Sequence, residues 1–214
     1  MGKINLGILG PVQGKVGTVV GATWNGIGYV RTQPLSYTDA KTEDQVSQRA
    51  VFKEVTEFVQ PLRNFLKVAY KRVDKNSSAY NTATKYILKN AVVKEDDDAH
   101  IDYSKVLVAS GTLPTLNDAS ATYSTGKLTL TWGDESEQNL HFCYADDNIM
   151  PLVYNVDKSQ VTFMTSQFKR EDKQAEITMP SGWQGDKVVV YVATADSKNR
   201  EASNSIYLGE FTVD

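Results

Sequence analysis

The sequence predicts an α+β protein in three parts. These are a glycine-rich β-hairpin arm over residues 1–34, a helical hairpin with an acidic linker over 35–98, and a β-sandwich domain over 99–214. Three observations carry the prediction. Eight of the 14 glycines fall within the first 28 residues, interleaved with strand formers. From residue 42 to 93 apolar side chains recur every three or four positions, the helical period. Beyond Ile101, short alternating runs are separated by turn residues at the spacing of a sandwich.

In the arm, Val16, Val19, Val20, Trp24, Ile27, Tyr29 and Val30 favour extended backbone. Asn25-Gly26 is the dipeptide of a two-residue type I′ turn, so 18–24 and 27–32 are expected to form a hairpin. A glycine-rich ribbon is marginal by itself and should require another surface. Trp24, Ile27 and Tyr29, with Val19, Val20 and Arg31, are therefore the candidate interface residues, aromatic side chains being the usual anchors of interfaces. The competing reading folds the arm back onto the chain's own helices. The stretch from Gly10 to Val16 superficially suggests a phosphate loop. Its spacing is one residue short, however, and Val16 stands where a Ser or Thr would bind magnesium.

The helical segment places Val51, Val55, Phe58, Leu62, Phe65, Ala69 and Val73 on one stripe, with Phe52, Val59 and Leu66 broadening it. Thr42 and Gln45 fit a capping box, Pro61 should kink or divide the helix, and Asn76-Ser77-Ser78 marks a second start. A shorter helix is expected from 79 to 93, with Tyr80, Ala83, Ile87 and Ala91 on one face. The acidic run from Glu95 to Asp98 reads as a solvated linker. Strands are expected at 105–110, 119–123, 127–132, 140–145, 151–156, 161–166, 175–179, 187–195 and 205–213. Leu128-Thr129-Leu130-Thr131-Trp132, then Gly182-Trp183 ahead of 188–192, resembles the pattern of fibronectin type III and immunoglobulin-like sandwiches.

Little chemistry is evident. One cysteine, Cys143, excludes an internal disulfide framework and a multi-cysteine zinc site, and two histidines leave little for a histidine metal centre. Cys143 and His141 lie two apart in an expected strand, but no nucleophile motif surrounds them. The carboxylate pairs Asp134/Glu135, Asp146/Asp147 and Glu171/Asp172 all fall in expected turns, where acidic residues are common. Asp146, Asp147 and Asn148 could offer oxygens to calcium, without the further ligands such a loop needs. Lys67, Lys71, Arg72, Lys75, Lys85 and Lys89 enrich the helices in positive charge. No nucleic-acid motif accompanies them, so a solvated face or a contact with the acidic half is the preferred reading.

The formal net charge of -3 hides a polarity. Residues 1–94 carry 14 Lys/Arg against 6 Asp/Glu, and residues 95–214 carry 9 against 20. Opposite halves can attract, within one chain or between neighbours. No apolar run is long enough to cross a bilayer, and the glycines of the opening interrupt any signal-peptide core, so cytoplasmic synthesis without a signal peptide is expected.

Gly7-Ile8-Leu9-Gly10, Gly14-Lys15-Val16-Gly17-Thr18-Val19-Val20-Gly21 and Trp24-Asn25-Gly26-Ile27 resemble a Bacteroidetes family of unknown function. So do Gln48-Arg49-Ala50-Val51-Phe52, Ala83-Thr84-Lys85-Tyr86, Ile101-Asp102-Tyr103-Ser104-Lys105 and Ser203-Asn204-Ser205. The resemblance implies no activity and brings no catalytic residues. The expectation is thus a non-enzymatic structural or assembly protein, a self-associating subunit of a phage or phage-like particle, with no catalytic residue, cofactor or metal. Its partners would be copies of itself or other particle subunits, and its destination a virion. The alternative is a carbohydrate- or protein-binding module using the sandwich loops, with Trp183, Tyr144 and Tyr154 as a stacking platform.

Overall fold

The computed structural model describes residues 3–4, 10–24, 26–33, 36, 39–70, 77–95, 98–133 and 143–214. The chain is α+β and divides into two compact units, Met1–Thr42 and Glu43–Asp214.

The first unit is a four-stranded antiparallel ribbon. Its strands β1 (Lys3–Ile4), β2 (Val12–Val16), β3 (Val19–Trp24) and β4 (Ile27–Thr32) lie in chain order. The hairpin falls where turn chemistry places it, with Trp24 paired to Ile27 and Val19 to Thr32. Gly26, at φ +81, takes the left-handed geometry that a type I′ turn demands. Asn25 lies outside the described residues. The stretch resembling a phosphate loop becomes strand β2, followed by a tight turn at Gly17 (φ +59).

The second unit opens with α1 (Glu43–Val59), α2 (Arg63–Ala69) and α3 (Ala79–Asn90). Pro61 divides α1 from α2, because it has no N–H to donate back along the helix. Ser78, extended at φ -71 and ψ 152, caps α3 by accepting the Asn81 N–H at 3.2 Å. Then come β5 (Val92–Glu95) and β6 (Asp98–Ile101), which form a hairpin. Of the acidic run expected to be a linker, Glu95 and Asp98 pair within this hairpin, and Asp96 and Asp97 lie outside the described residues. Strand formers on both sides, Val92-Val93 and the Ile101 opposite Val92, draw Glu95 and Asp98 into pairing.

Two antiparallel sheets follow. One has the order β12-β8-β7, from β7 (Ser120–Ser124), β8 (Lys127–Thr131) and β12 (Gln174–Thr178). The other has the order β10-β9-β13-β14, from β9 (Asn148–Asn155), β10 (Gln160–Phe163), β13 (Lys187–Ala195) and β14 (Ile206–Thr212), with β11 (Phe168–Lys169) also on β9. The central pair β9 and β13 is buried on both faces, which explains why β13 reads as an almost continuous apolar run. Its one face, through Val189, Tyr191, Met150, Leu152 and Tyr154, packs on the helices. The Phe58 and Tyr154 rings meet edge to face at 4.6 Å. Its other face, through Val188, Val190, Val192, Ile149 and Val153, meets Leu128, Leu130, Ala175 and Ile177 of the three-stranded sheet. Helices and strands thus share one unit, within which the junction expected near residue 98 falls.

Two expected strands differ. Residues 105–110 follow a 3-10 turn (Tyr103–Lys105) and pair with no strand. Their backbone is held elsewhere: Tyr70 Oη donates to Leu107 O at 2.8 Å, Ser110 N–H to Ala69 O at 3.1 Å, and Val108 N–H to Ser205 Oγ at 3.0 Å. Of 140–145, residues 140–142 lie outside the described set. The rest enters a turn closed by Asp147 N–H on Tyr144 O at 3.1 Å.

Candidate functional site

Side chains alternate across a strand, so the register of the arm sorts its residues onto two faces. Trp24 opposite Ile27, Ala22 opposite Tyr29 and Val20 opposite Arg31 share one face. Val19, opposite Thr32, belongs to the other, with Gly21 and Gly28. Five of the six candidate interface residues are thereby brought together and Val19 is not. Trp24 and Ile27 are 68% and 66% exposed, and with Tyr29 they line an open cleft of about 450 Å³. Burying such a Trp–Ile–Tyr set against a partner returns roughly 25 cal/mol for each Å² of apolar surface.

The opposite face is approached by the arm itself at its glycines. A Cβ on Gly28 would stand 2.5 Å from Pro11 Cβ, and one on Gly21 would collide with the Val12 carbonyl oxygen. The start of β2 thus lies across this face, β2 having Gly14 at φ +100. Gln13 Nε2 donates to Thr23 Oγ1 at 3.2 Å across the same face. One side of the ribbon is consequently overlaid at Gly21 and Gly28, with Val19 and Val30 still exposed on it, and the other presents aromatic surface.

A second apolar surface lies in the other unit, between α1 and α3. Gln48, Val51, Phe52, Leu88, Lys89 and Val92 line a groove of about 560 Å³. Phe52 is 55% exposed there, whereas Val59 and Leu66, grouped with it by periodicity, are buried. All three follow a stripe residue by one position, about 100° around the helix, so the exposure of Phe52 comes from its place in the packing of α1 and not from its spacing. Lys85 and Lys89 flank this region, Lys67 donates to Asn64 Oδ1 at 3.3 Å, and Lys71, Arg72 and Lys75 lie outside the described residues.

The acidic turn residues are structural. Asp147, 2% exposed, meets Arg170, 6% exposed, at 3.4 Å, and also accepts the Tyr144 N–H at 3.0 Å. Burial pushes the Asp147 carboxyl up and the Arg170 guanidinium down, desolvation costs that their 3.4 Å contact offsets only in part. Lys169 Nζ donates to Asn148 Oδ1 at 2.6 Å and to Asp146 O at 3.0 Å. Cationic side chains therefore stand where the considered calcium would have to bind. Asp172 caps its 3-10 turn by accepting the Lys169 N–H at 2.7 Å, and Asp134 and Glu135 lie outside the described residues. Among the described residues, no group of three or more His, Cys, Asp or Glu is placed to hold a metal ion. Burial raises the Cys143 thiol, with Asp147 adding to it, which disfavours the thiolate; His141 lies outside the described residues.

The three aromatic residues considered as a stacking platform are separated. Trp183 is buried in the core between the two sheets and donates from Nε1 to Gln160 Oε1 at 3.0 Å. Tyr154 is buried beneath the helices, and Tyr144 alone is exposed, at 60%. No helix among the described residues is long and apolar enough to cross a membrane.

No curated protein matches the chain. Residues 11–209 match a family described as "Family of unknown function (DUF6266)", a span reaching from the start of β2 into β14. It takes in the arm's aromatic face, the groove between α1 and α3 and most of both sheets, and on that span the chain belongs to this family of unknown function.

Proposed function

We propose that the protein is a non-enzymatic structural or assembly protein that associates with copies of itself, as a subunit of a phage or phage-like particle. One observation carries the reading: the arm lays Pro11 and Val12 over Gly28 and Gly21 on one face and leaves Trp24, Ile27 and Tyr29 exposed together on the other. Exposed aromatic clusters on a ribbon too small for a core of its own suit a surface completed by a neighbour. The arm would lie on, or extend, a sheet of the next subunit, main-chain bonds giving affinity and alternate side chains register.

In the same reading the two facing sheets form an immunoglobulin- or fibronectin III-like sandwich. The orders β12-β8-β7 and β10-β9-β13-β14 follow the E-B-A and C′-C-F-G orders of that class. Such sandwiches serve many roles, so the arm and not the sandwich supports the functional reading. The test is the mass of the full chain in solution by light scattering, with negative-stain imaging, beside a Trp24→Ala/Ile27→Ser variant. Both side chains are exposed, so the variant keeps its fold. Oligomers or particles that the variant loses are the expected result. A wild-type mass of about 24 kDa at every concentration, from the 23.7 kDa chain, overturns the proposal.

A further inference from the structure

We propose that β4 is the pairing edge of the arm and that its occupant is β4 of a second copy, antiparallel about a two-fold axis between the two Val30 residues. This rests on the arm reading above and specifies its partner and register. Among the described residues, β4 has β3 on one side and no strand on the other. Gln33 N–H donates to Thr18 O at 2.8 Å, which fixes the phase of the ladder. Ile27, Tyr29 and Arg31 therefore direct their backbone groups to β3, while Gly28, Val30 and Thr32 direct theirs outward. The edge is six residues long and contains no proline, lysine or carboxylate, the devices that ordinarily blunt an edge. Its single charge is Arg31.

That charge is what points to a second copy. A two-fold pairing of such edges can centre on a hydrogen-bonded or a non-hydrogen-bonded pair, and only the centre on Val30 matches all three outward-directed residues within β4. Centred on Val30, it joins Val30 to Val30 and Gly28 to Thr32 twice, so every outward N–H and C=O is matched. Tyr29 of one copy then stands directly opposite Arg31 of the other, on the face that carries Trp24 and Ile27. Opposed side chains of this kind bring their Cβ atoms within about 4.5–5.5 Å, which sets a guanidinium against a tyrosine ring and keeps the two arginines apart. A pairing centred on Gly28 leaves Thr32 unmatched and Arg31 without a partner. The Val30 register also joins the two aromatic faces into one patch. The contact is isologous and closes as a dimer, so larger assemblies need a further surface.

The test uses the full chain carrying Cys143→Ser, prepared separately as Tyr29→Cys and as Arg31→Cys. Opposed cysteines in this register fall within disulfide reach, whereas two copies of either variant alone are offset by two residues. Mild oxidation of the mixture should yield covalent dimer at least about tenfold above either preparation alone. A mixture that cross-links no better than its components overturns the register. Val30→Lys is the second variant, since Val30 is 61% exposed and its replacement opposes like charges across the axis. It should raise the dimerisation midpoint at least about tenfold. If Val30→Lys changes nothing while Trp24→Ala/Ile27→Ser lowers the mass, edge pairing falls and arm-mediated association stands. If neither variant lowers the mass, both fall.

Discussion

Arg170 and Asp147 are each tolerable at their depth only because of the other. Burial penalises both charged forms, and the 3.4 Å contact, with the Tyr144 N–H on the carboxylate, offsets part of the penalty. Their neighbours lock the backbone around them: Trp132 Nε1 donates to Arg170 O at 2.8 Å, and Arg170 and Thr194 both donate to Pro114 O, at 3.4 and 3.0 Å. Removing one ion should therefore cost more than removing two. Arg170→Ala leaves a buried carboxylate unopposed and should destabilise the protein by about 3–5 kcal/mol. The paired change Arg170→Met with Asp147→Leu replaces both charges by apolar volume and should cost less than Arg170→Ala alone. Urea denaturation of the three proteins decides this; a double variant weaker than the single would show that the hydrogen bonds around Asp147, not the ion pair, hold this corner.

Among the elements, those set by local chemistry were legible in the sequence. The hairpin of β3 and β4 follows from a turn dipeptide, the division of α1 from α2 from Pro61, and the start of α3 from Ser78. Strand β13 announced itself by its apolar run. What was not legible depends on partners distant in sequence. Residues 105–110 have strand composition, yet Ala69 and Ser205 take their hydrogen bonds. Glu95 and Asp98 follow their strands into a hairpin, and the exposure of Phe52 depends on how α1 meets α3. At the arm, the aromatic face could be read from the turn, whereas the overlay on its reverse at Gly21 and Gly28 could not, because that depends on the path of β2 past Gly14. Two glycines test this account. Gly21→Ala drives a methyl into the Val12 carbonyl and should open the arm to protease while leaving the melting of Glu43–Asp214 unchanged. Gly17→Ala has open space around it and only a left-handed φ to bear, at a cost of about 1 kcal/mol, and should keep the arm protected. Equal protease sensitivity of the two variants would remove the close approach from the explanation.

At the scale of the whole molecule, the charge polarity follows the layers of the larger unit. Residues 43–94, which hold the helices on one face of the central sheet, carry 10 Lys/Arg against 5 Asp/Glu. Residues 95–214, which hold both sheets, carry 9 against 20. Among the described residues alone the balance keeps its sign, 7 Lys/Arg against 4 Asp/Glu in 43–94 and 9 against 15 in 95–214, so the helical layer of the second unit is positive and its strand layers negative, and copies of it should attract head to tail. This attraction is between solvated charges, so it must fade as the screening length falls from about 10 Å at 0.1 M salt to about 3 Å at 1 M. Contact through Trp24, Ile27 and Tyr29 is apolar and should survive the same change. The two contributions therefore separate in one salt series of light-scattering measurements on the full chain. Wild type should remain associated at high salt. The Trp24→Ala/Ile27→Ser variant should show attraction at low salt that disappears by 1 M. A variant whose interactions do not respond to salt would mean that the two charged layers do not meet between copies, leaving the arm as the source of association.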